Sequence, residues 1–258
     1  MGQYSDNFVE RLHLVWGPGF MSPGGAEEVA EIVSGLELEG ALVLDIGCGT
    51  GGPSIALARD MGAHLICIDV EQHLLDRAKA LAQREGVGDR IEFKLVEPGL
   101  LPFQSETFDA VFSKDALIHV PNKLEIYREI LRVLRPGGAL AASDWLAGEH
   151  AVTDEAFQEY LRIANLDFIM ATAEQIVQVM RDAGFERIGT TDRNAWYAAL
   201  STIEVEQIEG PLREQIISVS DLETYNSWLS VRCALANAAK SGSLRPTHLR
   251  GYRPMALS

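Results

Sequence analysis

The stretch LVLDIGCGTGGPSIALA, residues 42–58, decides the fold. An apolar run, LVLDI, leads without a break into a G-x-G-x-x-G match at Gly47, Gly49 and Gly52, and SIALARDMG then reads as a helix. Strand, tight turn and helix in that order open a βαβ unit, and glycines in the turn let backbone approach a nucleotide-like ligand closely. The next apolar run, HLICID, ends in Asp69, which follows Gly52 by 69 − 52 = 17 residues. A carboxylate there accepts hydrogen bonds from ribose hydroxyls, which suits NAD and S-adenosylmethionine equally, since both carry an adenosine ribose. Asp45, just before the first glycine, separates them: a carboxylate opposes a pyrophosphate but receives an ammonium group, and S-adenosylmethionine has one.

Outward from this stretch, residues 41–146 alternate short apolar runs with longer periodic ones. LVLDIG, HLICIDV, IEFKLVE, FDAVFSKD and ALAASDWL read as strands, and the segments after Pro53, around HLLDRAKALAQ and around NKLEIYREILRVL read as helices. Near-continuous apolar strands need cover on both faces, which predicts a parallel, doubly wound sheet. In MSPGGAEEVAEIVSGL, Ser22 is placed as an N-cap with Pro23 at the first helical position, so residues 1–40 read as a mostly helical cap over the site and 41–258 as the core, a single domain overall. Beyond the core come TAEQIVQVMRDAGF, FERIGTTD, a long helical region broken by Pro211, and a last strand-like run, THLRGYR.

The totals exclude several function classes. With 22 basic and 37 acidic residues the formal net charge is −15, a field that repels nucleic acid and anionic lipid. No run approaches the ~20 apolar residues that a membrane-spanning helix needs. The three cysteines are odd in number and Cys48 sits inside the glycine loop, which points to reduced thiols and a cytoplasmic protein. Histidines at 13, 64, 73, 119, 150 and 248 are scattered without metal-ligand spacing, so no metal site is expected, and no G-x-S-x-G nucleophile motif occurs.

Taken together, LVLDIGCGTGG, CIDV, FDAVFSKDALIHV and LRPGGALAASD resemble class I S-adenosylmethionine-dependent methyltransferases across about residues 41–146. The resemblance implies an α/β, Rossmann-like sheet of seven strands in the order 3-2-1-4-5-7-6 with the last strand antiparallel, and THLRGYR is placed to be that strand. It implies S-adenosyl-L-methionine as cofactor and S-adenosyl-L-homocysteine as product. Residues carried over as cofactor-binding are Tyr4, Met21, Ser22, Asp45, Gly47, Cys48, Gly49, Asp69, Val70, Glu97 and Lys114. Family members often hold adenine with an aspartate and the next backbone N–H. Here Glu97 is followed by Pro98, which has none, leaving Glu97 to meet the exocyclic amine.

A narrower resemblance reaches outside the core. QYSDNFVERLHLVWGPGFMSPGG, residues 3–25, and SKDALIH are similar to phosphoethanolamine N-methyltransferases, and KDALIHVPNKLEIYREILRVLRPGG is similar to sarcosine and dimethylglycine N-methyltransferases. In the first family a tyrosine matching Tyr4 and a histidine matching His119 form the catalytic pair, and an aspartate matching Asp115 faces the substrate amine. Trp145, which aligns with a tyrosine of that family, and Tyr160 are the expected substrate contacts. The arginine and tyrosine that grip phosphate there are matched by Ala164 and Leu166, so the expected acceptor is a small soluble amine of the sarcosine or dimethylglycine kind ahead of phosphoethanolamine.

Read without the family, Asp115 and His119 are four residues apart, on one face of a helical turn, or else an N-cap and a helix-end histidine beside Pro121. Trp16 and Trp196 read as packing, and Arg245, His248 and Arg250 as carboxylate partners or surface ion pairs. The expected partner is the amine alone, with no nucleic acid or membrane, in a monomer or homodimer. Two alternatives stand beside N-methylation: O- or C-methylation of a small natural product, and S-adenosylmethionine binding without turnover.

Overall fold

A computed structural model describes residues 4–165 and 170–256. In chain order its elements are α1 (Asp6–Trp16), α2 (Gly25–Ile32), β1 (Leu42–Ile46), α3 (Gly52–Met61), β2 (His64–Asp69), α4 (Gln72–Arg84), β3 (Ile91–Leu95), β4 (Phe108–Lys114), α5 (Lys123–Val133), β5 (Leu134–Ala147), α6 (Glu155–Ile163), α7 (Ala173–Ala183), β6 (Glu186–Asp192), α8 (Asn194–Glu209), α9 (Arg213–Ser218), α10 (Leu222–Lys240) and β7 (Leu244–Tyr252).

The strands form one seven-stranded sheet in the order β3-β2-β1-β4-β5-β7-β6, the order expected from the resemblance. β1 pairs in parallel with β2 from Leu42–His64 to Ile46–Ile68, and with β4 from Val43–Ala110 to Asp45–Phe112. β7 runs antiparallel to β5: Gly137 N–H donates to the Arg253 carbonyl and Arg253 N–H to the Gly138 carbonyl. From β1 the chain moves outward to β2 and β3 and then returns to place β4 on the other side. The strand order therefore reverses between β1 and β4, where sheets of this kind open a crevice at the carboxyl ends of the strands. The central strands are apolar throughout. Val43, Leu44, Val111 and Phe112 are at most 1% exposed, as strands covered on both faces require.

One expected helix start is corrected. α2 begins at Gly25 behind a left-handed Gly24 (φ +96°), and Ser22 and Pro23 lie before it in a bend and turn. The Ser22 hydroxyl caps nothing because Lys114 Nζ, 92 residues away, donates to it at 2.7 Å.

The chain divides into two compact units. A mainly helical unit comprises Met1–Gly17, Trp145–Gln175 and Thr191–Thr247; the second comprises Pro18–Asp144, Ile176–Thr190 and His248–Ser258. The first forty residues are shared, 1–17 in one unit and 18–40 in the other. Among the described residues no helix is long and apolar enough to cross a membrane, and no group of three or more His, Cys, Asp or Glu could hold a metal ion.

Candidate active site

The glycine loop leaves β1 and is pinned at once to β2, with Gly47 and Cys48 N–H both donating to the Ile68 carbonyl at 2.9 and 3.1 Å. Gly47 (φ +73°) is required twice over. Its conformation is left-handed, and a Cβ there would lie 2.3 Å from the Ala116 Cβ. The loop after β1 therefore touches the loop after β4, across the point where strand order reverses. Gly49 N–H donates to Asp69 Oδ2 at 2.9 Å and Glu71 N–H to Oδ1 at 3.0 Å, so the acid at the end of β2 is oriented by backbone while half-exposed. Burial raises the Asp69 pKa, with those backbone bonds opposing it. Val70, next in the chain, and Leu95, opposite Asp69 in the β2–β3 pairing, leave apolar surface exposed, and Leu100, Glu97 and Pro98 are exposed too.

Asp45 lies beneath the loop, 1% exposed, with the Ser54 hydroxyl donating to it at 2.5 Å. Burial, opposed by that hydroxyl and assisted by the charge of Asp69, pushes its pKa up to about 7. Cys48 is also buried. Its bond with the Cys67 thiol, and then burial, hold its pKa well above the usual thiol range, which makes it part of the loop's packing and not a nucleophile.

Residues 18–24 form a strap across this loop. The Gly19 carbonyl accepts from Gly52 N–H at 2.8 Å and from the Thr50 hydroxyl at 3.0 Å, and a Cβ on Gly49 would lie 2.8 Å from Met21 Sδ. Lys114, the buried last residue of β4, ties the strap down: its Nζ donates to Ser22 Oγ at 2.7 Å, the Pro23 carbonyl at 2.9 Å and Asp115 Oδ2 at 2.9 Å. Asp115 takes its second side-chain bond from Ser143 Oγ at 3.0 Å. Its backbone is left-handed (φ +57°), a costly conformation for a residue with a side chain and one concentrated at functional sites.

That conformation overturns the helical reading of Asp115 and His119. Asp115 N–H still bonds the Ser143 carbonyl at 2.8 Å, extending the β4–β5 pairing, and the chain then turns sharply into a single 3₁₀ turn, Leu117–His119. The two residues share a loop and not a helix face. The His119 side chain reaches the surface of the turn, yet partial burial and then the charge of Lys123 lower its pKa, favouring neutral imidazole.

The helical unit holds the other expected residues. The Tyr4 ring lies 5.8 Å from that of Phe8 on α1. Trp145 stands edge-on to Tyr197, ring centroids 4.8 Å apart. Beside Tyr197 is a buried ion pair that the sequence reading missed: Arg232 Nη2 donates to Glu204 Oε2 at 2.5 Å and to the Tyr197 hydroxyl at 3.1 Å. Trp16 belongs to the same cluster, its Nε1 donating to Glu204 at 2.6 Å and its ring 5.0 Å from the Arg232 guanidinium. Burial raises the Tyr160 pKa while the charge of Arg232 opposes it, which ties Tyr160 electrically to this group. A signal was available: Tyr197, Ser201, Glu204 and Ile208 are spaced 4, 3 and 4 apart, a buried stripe containing a glutamate that needs a cation.

The other candidates have structural partners. Arg245 pairs with Asp192, His248 Nε2 lies 2.6 Å from Glu28 Oε1, and Arg250 donates to the Ile32 carbonyl at 2.6 Å. Trp196 lies under Arg193, 4.8 Å from its guanidinium. Ala164 is the C-cap of α6, and Leu166 lies outside the described residues.

With this geometry the chain belongs to a methyltransferase domain family, whose model matches residues 38–188, more than half of its length. Among curated relatives, phosphoethanolamine N-methyltransferase 1 of Arabidopsis thaliana is 29% identical over 239 residues, which cover 90% of this chain and 48% of that protein. The chain thus spans about half the length of the plant relative it matches. Among solved structures, phosphoethanolamine N-methyltransferase 2 of Haemonchus contortus, in complex with phosphomonomethylethanolamine and S-adenosylhomocysteine, superposes with a TM-score of 0.89 at 24% identity, covering 98% of this chain and 59% of that one. A Galdieria sulphuraria protein assigned as a sarcosine dimethylglycine methyltransferase gives a TM-score of 0.82 at 20% identity and covers 98% of both chains.

Proposed function

We propose that the protein is an S-adenosylmethionine-dependent N-methyltransferase of a small soluble amine, of the sarcosine and dimethylglycine or the phosphoethanolamine kind. The observation that carries this reading is the contact between the Gly47 loop and the Asp115 loop, which sets a nucleotide-type turn against a carboxylate at the strand-order reversal. The cofactor fits the residues present. Asp69 keeps lone pairs for ribose hydroxyls beyond its backbone bonds, Val70 and Leu100 offer apolar surface to a flat ring, and Asp45 provides negative charge beneath the loop for an ammonium group. Gly47, Cys48 and Gly49 would bring backbone to the methionine part, with Met21 and Ser22 on the strap, Lys114 holding it and Glu97 near adenine. When bound, the cofactor supplies an electrophilic methyl group on a sulfonium.

The protein's task is then alignment and proton removal. Asp115, fixed from both sides by Lys114 and Ser143, would orient the amine through its remaining acceptor positions. His119, neutral because its pKa is lowered, would take the proton that the attacking nitrogen loses, with Tyr4 as its family-assigned partner. Trp145 and Tyr160 would meet the rest of the acceptor, where a cation–π contact to a methylated ammonium contributes roughly 0.5–2 kcal/mol. The likeness to both phosphoethanolamine and sarcosine enzymes supports an amine, while Ala164 in place of a phosphate-gripping arginine supports a carboxylated one.

Incubation with methyl-labelled S-adenosylmethionine and glycine, sarcosine, dimethylglycine, ethanolamine, phosphoethanolamine and unrelated phenols, read by mass spectrometry, tests this. Label on an amine, lost by roughly a hundredfold in rate in His119→Ala, is the expected result. Label on phenols alone, or on nothing, overturns it.

A further inference from the structure

Immediately before His119, two consecutive peptide groups are fixed at both ends. In the Leu117–Ile118 peptide the carbonyl accepts from Lys123 Nζ at 2.5 Å, while the N–H donates to Asp144 Oδ1 at 3.1 Å. In the Ile118–His119 peptide the carbonyl accepts from the same Nζ at 3.1 Å, and the N–H donates to the Ala116 carbonyl at 3.2 Å. A single 3₁₀ turn has little intrinsic stability, so bonds from outside it decide its geometry. Both outside groups come from regular elements, Asp144 from β5 and Lys123 from the first residue of α5.

Neither group is placed where its own stability would put it. A lysine at the first position of a helix faces the positive end of the helix dipole, and burial lowers its pKa further, with the charge of Asp144 opposing that. Asp144 is 1% exposed, and the Tyr127 hydroxyl beside it is buried without a hydrogen-bond partner among the described residues. Groups held at such a cost around one turn indicate a functional constraint on that turn.

We propose that Lys123 and Asp144 are positioning residues, a two-sided clamp that holds the Leu117–His119 turn and so aims the His119 imidazole at the proton it receives. This rests on the reading of His119 as proton acceptor. The clamp also sets the charge around the ring. The charged groups that act on the turn and its ring are Lys123 from α5 and Asp144 from β5, with Tyr127 of α5 within reach of the Asp144 charge. The nearby cation of Lys123 reinforces the neutral imidazole, so one side chain acts on both the position of the base and its charge.

The test compares Lys123→Met, Lys123→Arg and Asp144→Asn with the parent, by the pH dependence of histidine NMR signals assigned to His119, amide hydrogen exchange at Ile118 and His119, S-adenosylhomocysteine affinity, and kcat against pH on an accepted amine. In Lys123→Met the His119 pKa is expected to rise, exchange at the two amides to quicken, and kcat to fall by roughly tenfold or more, with S-adenosylhomocysteine Kd within about twofold of the parent. Lys123→Arg restores most of each change. A folded Lys123→Met protein with an unmoved His119 pKa and unchanged exchange overturns the clamp. If Lys123→Met does not fold, the same readouts on Asp144→Asn decide. If the parent methylates no amine, the functional reading fails, while the NMR and exchange measurements still judge the clamp.

Discussion

Asp45 is the residue at which burial and binding pull in opposite directions. With a folded-state pKa raised to about 7 against 3.8 for an ordinary aspartate, folding retains a proton that the unfolded chain releases. The group's contribution is therefore most favourable at acidic pH, declines as pH rises from about 4 to 7, and stays unfavourable above, by at most about 4 kcal/mol at ~1.4 kcal/mol per unit of pKa. Asp45→Asn keeps a partner for Ser54 and removes the charge. Its Tm is expected to exceed that of the parent at pH 8, with the difference shrinking towards pH 5. A difference independent of pH across that range would show that the carboxylate is not the titrating group. The same substitution removes the negative charge that a bound ammonium would neutralise, so stability gained without ligand should be accompanied by weaker cofactor affinity.

At the scale of elements, the strap and the β4 terminus depend on one side chain. Lys114 donates three hydrogen bonds, two of them into residues 22–23 and one to Asp115. Lys114→Met leaves the Asp115 carboxylate without its cation and is expected to destabilise by about 3 kcal/mol, as breaking buried ion pairs does. Hydrogen exchange across residues 18–24 should rise with it; an unchanged strap would contradict this role. These elements also mark where the sequence stopped being legible. β1 and the glycine loop were read directly, because apolar run, glycine spacing and following helix are all local. The sheet order came only through the resemblance, since pairing between β5 and β7 joins residues more than a hundred apart. Ser22 was misread because its cap signal is local and its actual partner is Lys114. For Asp115 and His119 the spacing of four suggests a helix face, but a left-handed aspartate at a strand end has no sequence signature that such a spacing would reveal. Lys123 and Asp144 carried no motif at all; only the fold brings them to one turn.

For the whole molecule, a net charge of −15 means that acidic groups repel one another across the surface. Screening at ~0.5 M salt, where the Debye length falls to roughly 4 Å, should raise Tm by a few degrees over ~0.02 M salt. A flat or falling Tm would mean that local ion pairs such as Arg59 with Asp60 outweigh the general repulsion. The helical unit, assembled from three separate lengths of chain, has a further consequence for how the protein is made. Trp16 leaves the ribosome 188 residues before its partner Glu204, a wait of about 10–40 s at ordinary synthesis rates. During that interval α1, with Arg11 and Trp16 uncovered, lacks its partners Glu204 on α8 and Trp228 and Arg232 on α10. Synthesis order and packing order are at odds here, and this early helix must stay soluble until α8 and α10 arrive.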